Sequence, residues 1–375
     1  MARAGKTFIE LLQTCRQSSF VDFRLDGATV RDLSLTSVGQ LLRNNLRTAR
    51  NLLGSGSSNS NPIPMYSGSS NRSVLESLGM VQRANGNKVP KHPIGLLVEE
   101  ARTNQLVSLG DGFALQLPET LELHTTYLLP PAMGSQFLYQ LQRQRKIWWM
   151  RWSVDPGRYF ISDMRRDEAD QGRTTAVSIC ARFLDRSEHA QMVELERLEL
   201  SEGERVGERQ AAIVRVGHNL DRAVLAILMD ALECAASERC VKIHRKIAPY
   251  KCGIVCAGED ATGNWYDIYC LKFKLSPFSP PPPTDANVRN DLIDLSKHLT
   301  YVLRAANLPV HESFSFEQAS PALDRLDQIG VPYVLLLSAG TLRTGLLQLR
   351  SRDTTLSETI HLSDLPHYLE RIINA

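Results

Sequence analysis

No stretch of this chain approaches the roughly 20 consecutive apolar residues that a membrane-crossing helix requires. Even the run from Val331 to Leu337 is soon interrupted by Ser338 and Gly340, so a helical membrane span is excluded. Cysteine is scarce and irregularly placed. Cys15, Cys180, Cys234, Cys240, Cys252, Cys256 and Cys270 are an odd set of 7 without C-x-x-C spacing, which argues against both a secreted disulfide framework and a zinc site. They read as reduced thiols. A large charge excess is missing too: the formal net charge is +2, so contact with nucleic acid must come from local patches. There is no Walker loop, no H-E-x-x-H, no G-x-S-x-G and no spaced set of carboxylates. Enzyme readings therefore lack their parts, and neither a cofactor nor a metal is expected.

What is present suits a soluble globular protein. With 375 residues, 43% of them hydrophobic and 22% charged, the chain can bury a sizeable core and is long enough for two or three domains. Residues 1–20 carry Arg3, Lys6 and Arg16 against Glu10, with Phe8, Ile9, Leu11, Leu12 and Cys15 on one side. That segment reads either as an import presequence or as the first helix of the fold. A helical pattern follows over Leu35–Leu53, and the polar stretch 54–71 reads as a flexible loop. Short apolar runs broken by glycine and proline predict antiparallel strands over Val81–Leu129, then a helix over Ser135–Met150. The β pattern resumes over Thr174–Glu196, and Asn219 predicts an N-cap for a helix carrying Leu220, Val224, Ile227, Leu228 and Ala231. Arg245–Pro249 marks a change of domain. Paired charges at Asp163–Asp170 and Glu194–Glu208 read as solvated faces, and His244 and His361 as isolated hydrogen-bonded histidines.

Past Pro249 the pattern is regular. Strand Cys252–Cys256, helix Val288–Ala306, strand Leu308–His311, helix Phe316–Ile329, strands Val331–Ser338 and Leu346–Arg352 and helix Asp364–Asn374 give β-α-β-α-β-β-α, a mostly parallel sheet under helices. In the last strand Leu347 and Leu349 alternate with Gln348, Arg350 and Arg352, which predicts one buried face and one face offering two guanidiniums.

The buried strand, a turn at Gly340, this arginine strand and a helix capped by Ser363 resemble the end of the anticodon-binding domain of class II aminoacyl-tRNA synthetases. The strings Leu349-Arg350-Ser351-Arg352-Asp353-Thr354-Thr355 and Ile360-His361-Leu362-Ser363-Asp364-Leu365 are narrower. They resemble the accessory-subunit family of the mitochondrial DNA polymerase, in its short insect-like form. Blocks at Arg145–Ser153, Val216–Arg222 and Lys242–Lys251 extend that resemblance, and Val38–Asn44 looks like the first helix of a synthetase-like core. The resemblance implies a degenerate α+β core of glycyl/prolyl synthetase type with an antiparallel sheet over 21–240. An α/β anticodon-binding-like domain with a mixed five-stranded sheet would occupy 246–375. Gly217-His218-Asn219-Leu220-Asp221-Arg222 stands where such enzymes have a glycine-rich motif ending in arginine, but with Asn219 in a glycine position. The place of the phosphate-binding arginine, near Phe113–Leu117, has no arginine. Adenylation needs preorganised positive charge, so Arg222 reads as a structural residue at a helix start.

The implied function is a non-catalytic processivity subunit in the mitochondrial matrix nucleoid, binding the catalytic polymerase subunit and primer-template DNA. The alternative is an active synthetase or a tRNA-binding module. Arg343, Leu346, Arg350, Arg352 and Asp353 are the expected partner-binding residues. Two basic groups are candidates for nucleic acid: Arg143, Arg145, Lys146 and Arg151, interleaved with Trp148, Trp149 and Trp152, and Lys242, Arg245, Lys246 and Lys251. Guanidinium beside indole suits phosphate and base contact; the favoured reading of Trp148 or Trp149 is nevertheless core, and the two roles can coexist. Two departures from the family stand out. Between Lys91 and Thr125 there is no room for the helical insertion that makes vertebrate relatives homodimers, which implies a monomer pairing one-to-one with the catalytic subunit. Residues 261–287 form a long insertion, read as a disordered loop or as non-coding sequence carried by a wrong gene model.

Overall fold

The computed structural model describes residues 8–26, 29–52, 63–69, 74–84, 93–108, 114–169, 172–184, 190–206, 209–233, 240–256, 286–312 and 319–375. The chain forms two compact units, residues 1–233 and 234–375.

In the first unit, helix α1 (Phe8–Gln17) leads into strands β1 (Val21–Asp26) and β2 (Thr29–Leu35), helix α2 (Ser37–Leu52), β3 (Met65–Ser67) and α3 (Val74–Ala84). Two long strands follow, β4 (Ile94–Ser108) and β5 (Ala114–Leu129), then α4 (Gly134–Trp152), β6 (Tyr159–Ile161), β7 (Arg165–Ala169), β8 (Gly172–Leu184), β9 (Ala190–Val206), β10 (Arg209–Asn219) and α5 (Leu220–Glu233). All ten strands join one sheet in the order β1-β2-β5-β10-β9-β8-β6, with β4 also on β5, β3 on β4 and β7 on β8. The long hairpins are antiparallel; β2 meets β5 and β3 meets β4 in parallel. Helix α1 is amphipathic, with Phe8, Leu11, Leu12 and Cys15 buried, and it packs on α5 and β1. The first-helix reading of residues 8–17 therefore describes their packing. The Ser135–Met150 expectation corresponds to α4, and Asn219 does cap α5, its Oδ1 accepting from the Arg222 N–H at 2.9 Å. Helix α3, which strand-like apolar runs had concealed, is the departure here, and within 54–71 the segment Met65–Ser67 is a strand rather than loop. Within that stretch, 54–62 and 70–71 lie outside the described residues.

The second unit begins with an irregular segment whose Val241 N–H donates to the Asp327 carbonyl at 3.0 Å, so its boundary falls earlier than residue 246. Then come β11 (Cys252–Cys256), α6 (Ala286–Ala305), β12 (Val310–His311), α7 (Ala319–Gln328), β13 (Tyr333–Leu337), α8 (Ala339–Thr344), β14 (Leu346–Ser351), β15 (Ser357–His361) and α9 (Leu365–Asn374). The sheet is mixed and five-stranded, β12-β11-β13-β14-β15. Its first three strands are parallel and the last two antiparallel. Two cores cover its faces. Leu292, Leu299, Leu303, Leu365, Leu369 and Ile373 of α6 and α9 pack on one; Ala322, Leu323 and Leu326 of α7 pack on the other. Where a turn was expected at Gly340 there is the short helix α8, ended by Gly345 at φ +70, a conformation that glycine adopts without strain. Ser363 is not the cap of α9: Asp364 holds the N-cap place, and Ser363 Oγ contacts His361 Nδ1 at 2.8 Å. The proposed insertion 261–287 lies outside the described residues except for its last two, which open α6.

Among the described residues Cys15, Cys180, Cys252 and Cys256 are buried free thiols and Cys240 is half-buried. Burial pushes Cys15 and Cys252 each up to about 12.

Candidate functional site

Strand β14 alternates as its sequence implies: Leu347 and Leu349 enter the core under α6 and α9, and Arg350 faces α7. That second face is also covered. Arg350 is 3% exposed, and its two terminal nitrogens donate to the two carboxylate oxygens of Asp327 on α7, each at 3.0 Å. Arg352, also 3% exposed, donates to the carbonyls of Gly330 at 2.8 Å, Ile243 at 2.8 Å and Val241 at 3.2 Å. Its Nε reaches Asp353 at 2.9 Å. The expected open face with two guanidiniums is thus corrected: a sheet clad on both sides buries an arginine on either face, and these two pin the 241–243 segment and α7 to the sheet. Of the five C-terminal candidates, Arg343, Leu346 and Asp353 remain exposed, with Leu342 and Leu356 also exposed nearby in sequence.

The basic group at 242–251 divides in the same way. Lys251 is buried, and its ammonium donates to the carbonyls of Lys246 at 2.7 Å, Ala248 at 3.0 Å and Arg245 at 3.1 Å. Burial pulls its pKa down to about 8, yet three acceptors for three N–H groups keep it an ammonium at pH 7. It is a clamp for the turn, not a contact for phosphate. Lys242, Arg245 and Lys246 are half-buried around it. Burial, then the charges of Arg245, Lys246 and Lys251, press His244 down to about 4.

In α4 the tryptophans are core: Trp148, Trp149 and Trp152 are 1%, 0% and 6% exposed. Arg145 lies among them at 2%. Its Nε donates to Glu196 Oε2 at 2.7 Å and its Nη2 to Oε1. The same Oε1 accepts from Trp149 Nε1 at 2.9 Å and lies 2.7 Å from His218 Nδ1. His218 stacks on Trp149 at 5.4 Å between ring centres. Burial alone raises the Glu196 carboxyl, but Arg145 and His218 together hold it well below the usual carboxylate range. Burial pushes His218 down, and Glu196 only partly offsets this. Arg145 is therefore corrected from a nucleic-acid candidate to half of a buried ion pair, and Glu196 is removed from the solvated charges of Glu194–Glu208. Arg143 and Arg151 remain exposed and Lys146 half-buried. Arg143 lies over the Tyr139 ring, 4.4 Å from its centre.

In the segment Gly217–Arg222, read from the sequence as synthetase-like, the side chains have structural partners. Arg222 Nη1 donates to the Glu194 carbonyl at 2.9 Å. Asp221 accepts from Arg43 at 3.0 Å and from the Leu121 N–H at 2.6 Å. Sequence reasoning passed over the buried carboxylates Asp327 and Asp230. The latter accepts from the Val154 N–H at 2.6 Å and Ser153 Oγ at 2.9 Å, and lies 2.6 Å from Arg158 Nε. Its place inside the apolar run Leu220–Leu232 was the available signal; for Asp327 there was none.

The family model for an anticodon binding domain matches residues 281–372. Over 272 residues the chain is 34% identical to "DNA polymerase subunit gamma-2, mitochondrial" of Drosophila melanogaster, covering 68% of this chain and 67% of that protein. It is 28% identical to the Xenopus laevis protein of the same name over 65% of this chain and 51% of that one. With "DNA polymerase subunit gamma-2" of Bos taurus it shares 21% over 69% of this chain and 52% of the other. The chain spans about two thirds of the fly relative and about half of each of these two vertebrate ones.

Proposed function

Because the chain belongs to the family of the DNA polymerase gamma-2 subunits, we propose that it is a mitochondrial, non-catalytic accessory subunit of that polymerase. In this reading the chain binds the catalytic subunit and lengthens the holoenzyme's residence on primer-template DNA. The 34% identity over two thirds of both chains carries the proposal. It is supported by the fate of the synthetase-like motif, whose Arg222 is committed to a backbone carbonyl.

Processivity needs no chemistry on this chain. A slower dissociation suffices, and each 1.4 kcal/mol of added binding is roughly tenfold in affinity. Partner contact falls to the exposed residues of the second unit, Arg343, Leu346 and Asp353, because Arg350 and Arg352 are occupied internally. DNA contact falls to Arg143, Lys146 and Arg151 and to Lys242, Arg245 and Lys246. The chain acts as a monomer, one-to-one with the catalytic subunit, in the matrix nucleoid.

The test is affinity capture of the tagged chain from mitochondria, with the catalytic subunit expected in the eluate and a longer product length when the two are recombined. The match to an anticodon binding domain favours one second reading, a tRNA-binding or tRNA-charging protein. Exchange of pyrophosphate into ATP with any amino acid, without the polymerase in the eluate, would replace the first reading by the second.

A further inference from the structure

Strand β15 closes one side of the second unit's sheet, and among the described residues no strand pairs with its outer side. The ladder with β14 fixes which backbone groups point outward. Ser351 N donates to Leu356 O and Leu362 N to Gly345 O, each at 2.9 Å, so the even-numbered residues of this segment bond inward. The N–H and C=O of Ser357 and Thr359 and the N–H of His361 then point away from the sheet, while the His361 C=O turns to accept from the Asp364 N–H at 3.1 Å.

Natural sheets protect such edges with lysine, proline, a bulge or a covering element. Strand β15 has no proline or lysine, its register with β14 is unbroken, and four of its five residues are exposed. Beside it lies a cavity of about 310 Å³, lined by Tyr333, Leu349, Ser351, Leu356 and Glu358 among others. Leu356 is 54% exposed there.

We propose that β15 accepts an extended, lysine- or arginine-bearing segment of a partner polypeptide as a sixth strand, with one of its apolar side chains entering the cavity beside Leu356. Only another extended backbone offers donors and acceptors at the spacing of Ser357, Thr359 and His361. Alternate side chains of the added strand fall on the cavity face. The charge of the occupant follows from the edge. Glu358 and Asp364 are exposed, whereas Asp353 is paired with the buried Arg352 and the only other arginine from residue 351 onward is Arg371. A second copy of this chain fits poorly, since two acidic edges would face each other. A five-residue ladder also falls well short of the roughly 1,000 Å² that a stable interface buries. The inference rests on the sheet edge and is independent of the accessory-subunit reading.

The test uses the full chain and an acetylated hexapeptide of alternating lysine and valine. Its binding should slow hydrogen exchange at the amides of Ser357, Thr359 and His361. Exchanging the peptide's lysines for glutamates should weaken binding at least fivefold, and a backbone N-methylated peptide should not bind. Ser357→Pro removes an outward donor at the first position of a strand, where proline is accommodated; it should weaken peptide binding at least fivefold with an unchanged melting temperature. If that variant unfolds, Leu356→Lys, which fills the apolar entrance with a charge that repels the peptide, takes its place with the same expected loss. Equal binding of the N-methylated peptide, or protection elsewhere on the chain, would overturn the proposal. So would concentration-dependent protection of these amides without peptide, which would assign the edge to a second copy.

Discussion

Among the described residues Asp327 carries the Arg350 guanidinium alone, through two parallel hydrogen bonds in a buried position. Removing one partner of such a pair leaves an uncompensated buried charge, at about 3–5 kcal/mol. Asp327→Ala should therefore lower the urea midpoint of the second unit strongly, as followed by circular dichroism. Asp353→Ala should lower it less, because its carboxylate is mostly in water and Arg352 keeps three backbone carbonyls as acceptors. The histidines give stability a pH dependence whose sign is fixed. His218 lies below its ordinary value and His244 at about 4, so the unfolded chain takes up protons more readily below about 6.5. Stability should fall as the pH drops from about 6.5 toward 4. The Glu196 carboxyl, depressed by its cationic partners, contributes stability above about 4.5 that is lost at still lower pH. Urea midpoints at pH 7, 5.5 and 4.5 measure the first slope, and His244→Gln should flatten it without changing the midpoint at pH 7 by much.

Helix α1 has the clearest mechanical role among the elements, for Leu12 is fully buried and Leu11 and Cys15 nearly so. Leu12→Ala should destabilise the first unit by about 2–5 kcal/mol, and N-terminal sequencing of the mitochondrial protein should find Phe8–Gln17 retained. The sequence exposes helices of this kind well, because a long apolar stripe recurs at helical spacing, as in α4, α5 and α6; the fully buried strands β11 and β13 were legible as short continuous apolar runs. Strand β15 was not, since Ile360 is its single buried residue and one apolar position has no period. The buried Glu196 left a fainter trace. In β9 the inward Val193 and Leu195 are followed by Leu198 and Leu200, a step of three where a strand steps by two. That slip coincides with the register shift between Ile179 and Cys180 opposite, a bulge that turns Glu196 inward. The two C-terminal arginines were misplaced for a different reason. Alternation tells which residues share a face but not whether a helix lies over it, and α7 does.

Taken whole, the molecule has almost no net charge to spend on nucleic acid, so DNA binding by the chain alone should be weak and carried by a few residues. Replacing Arg143 and Arg151 by alanine should reduce the salt slope of DNA binding by about 2 if each neutralises one phosphate, and leave the melting temperature within about a degree. Light scattering of the chain alone at micromolar concentration should give the 42.0 kDa of one chain. The buried thiols have a use outside recognition altogether. Cys15 belongs to the first unit and Cys252 to the second, and each is buried with its pKa pushed up to about 12, so neither reacts while its surroundings stay shut. A short pulse of iodoacetamide followed by peptide mass spectrometry then becomes a pair of independent clocks. The rate at Cys15 times the opening of one unit and the rate at Cys252 that of the other, so loss of Asp327 should quicken the second clock and leave the first running at its own pace.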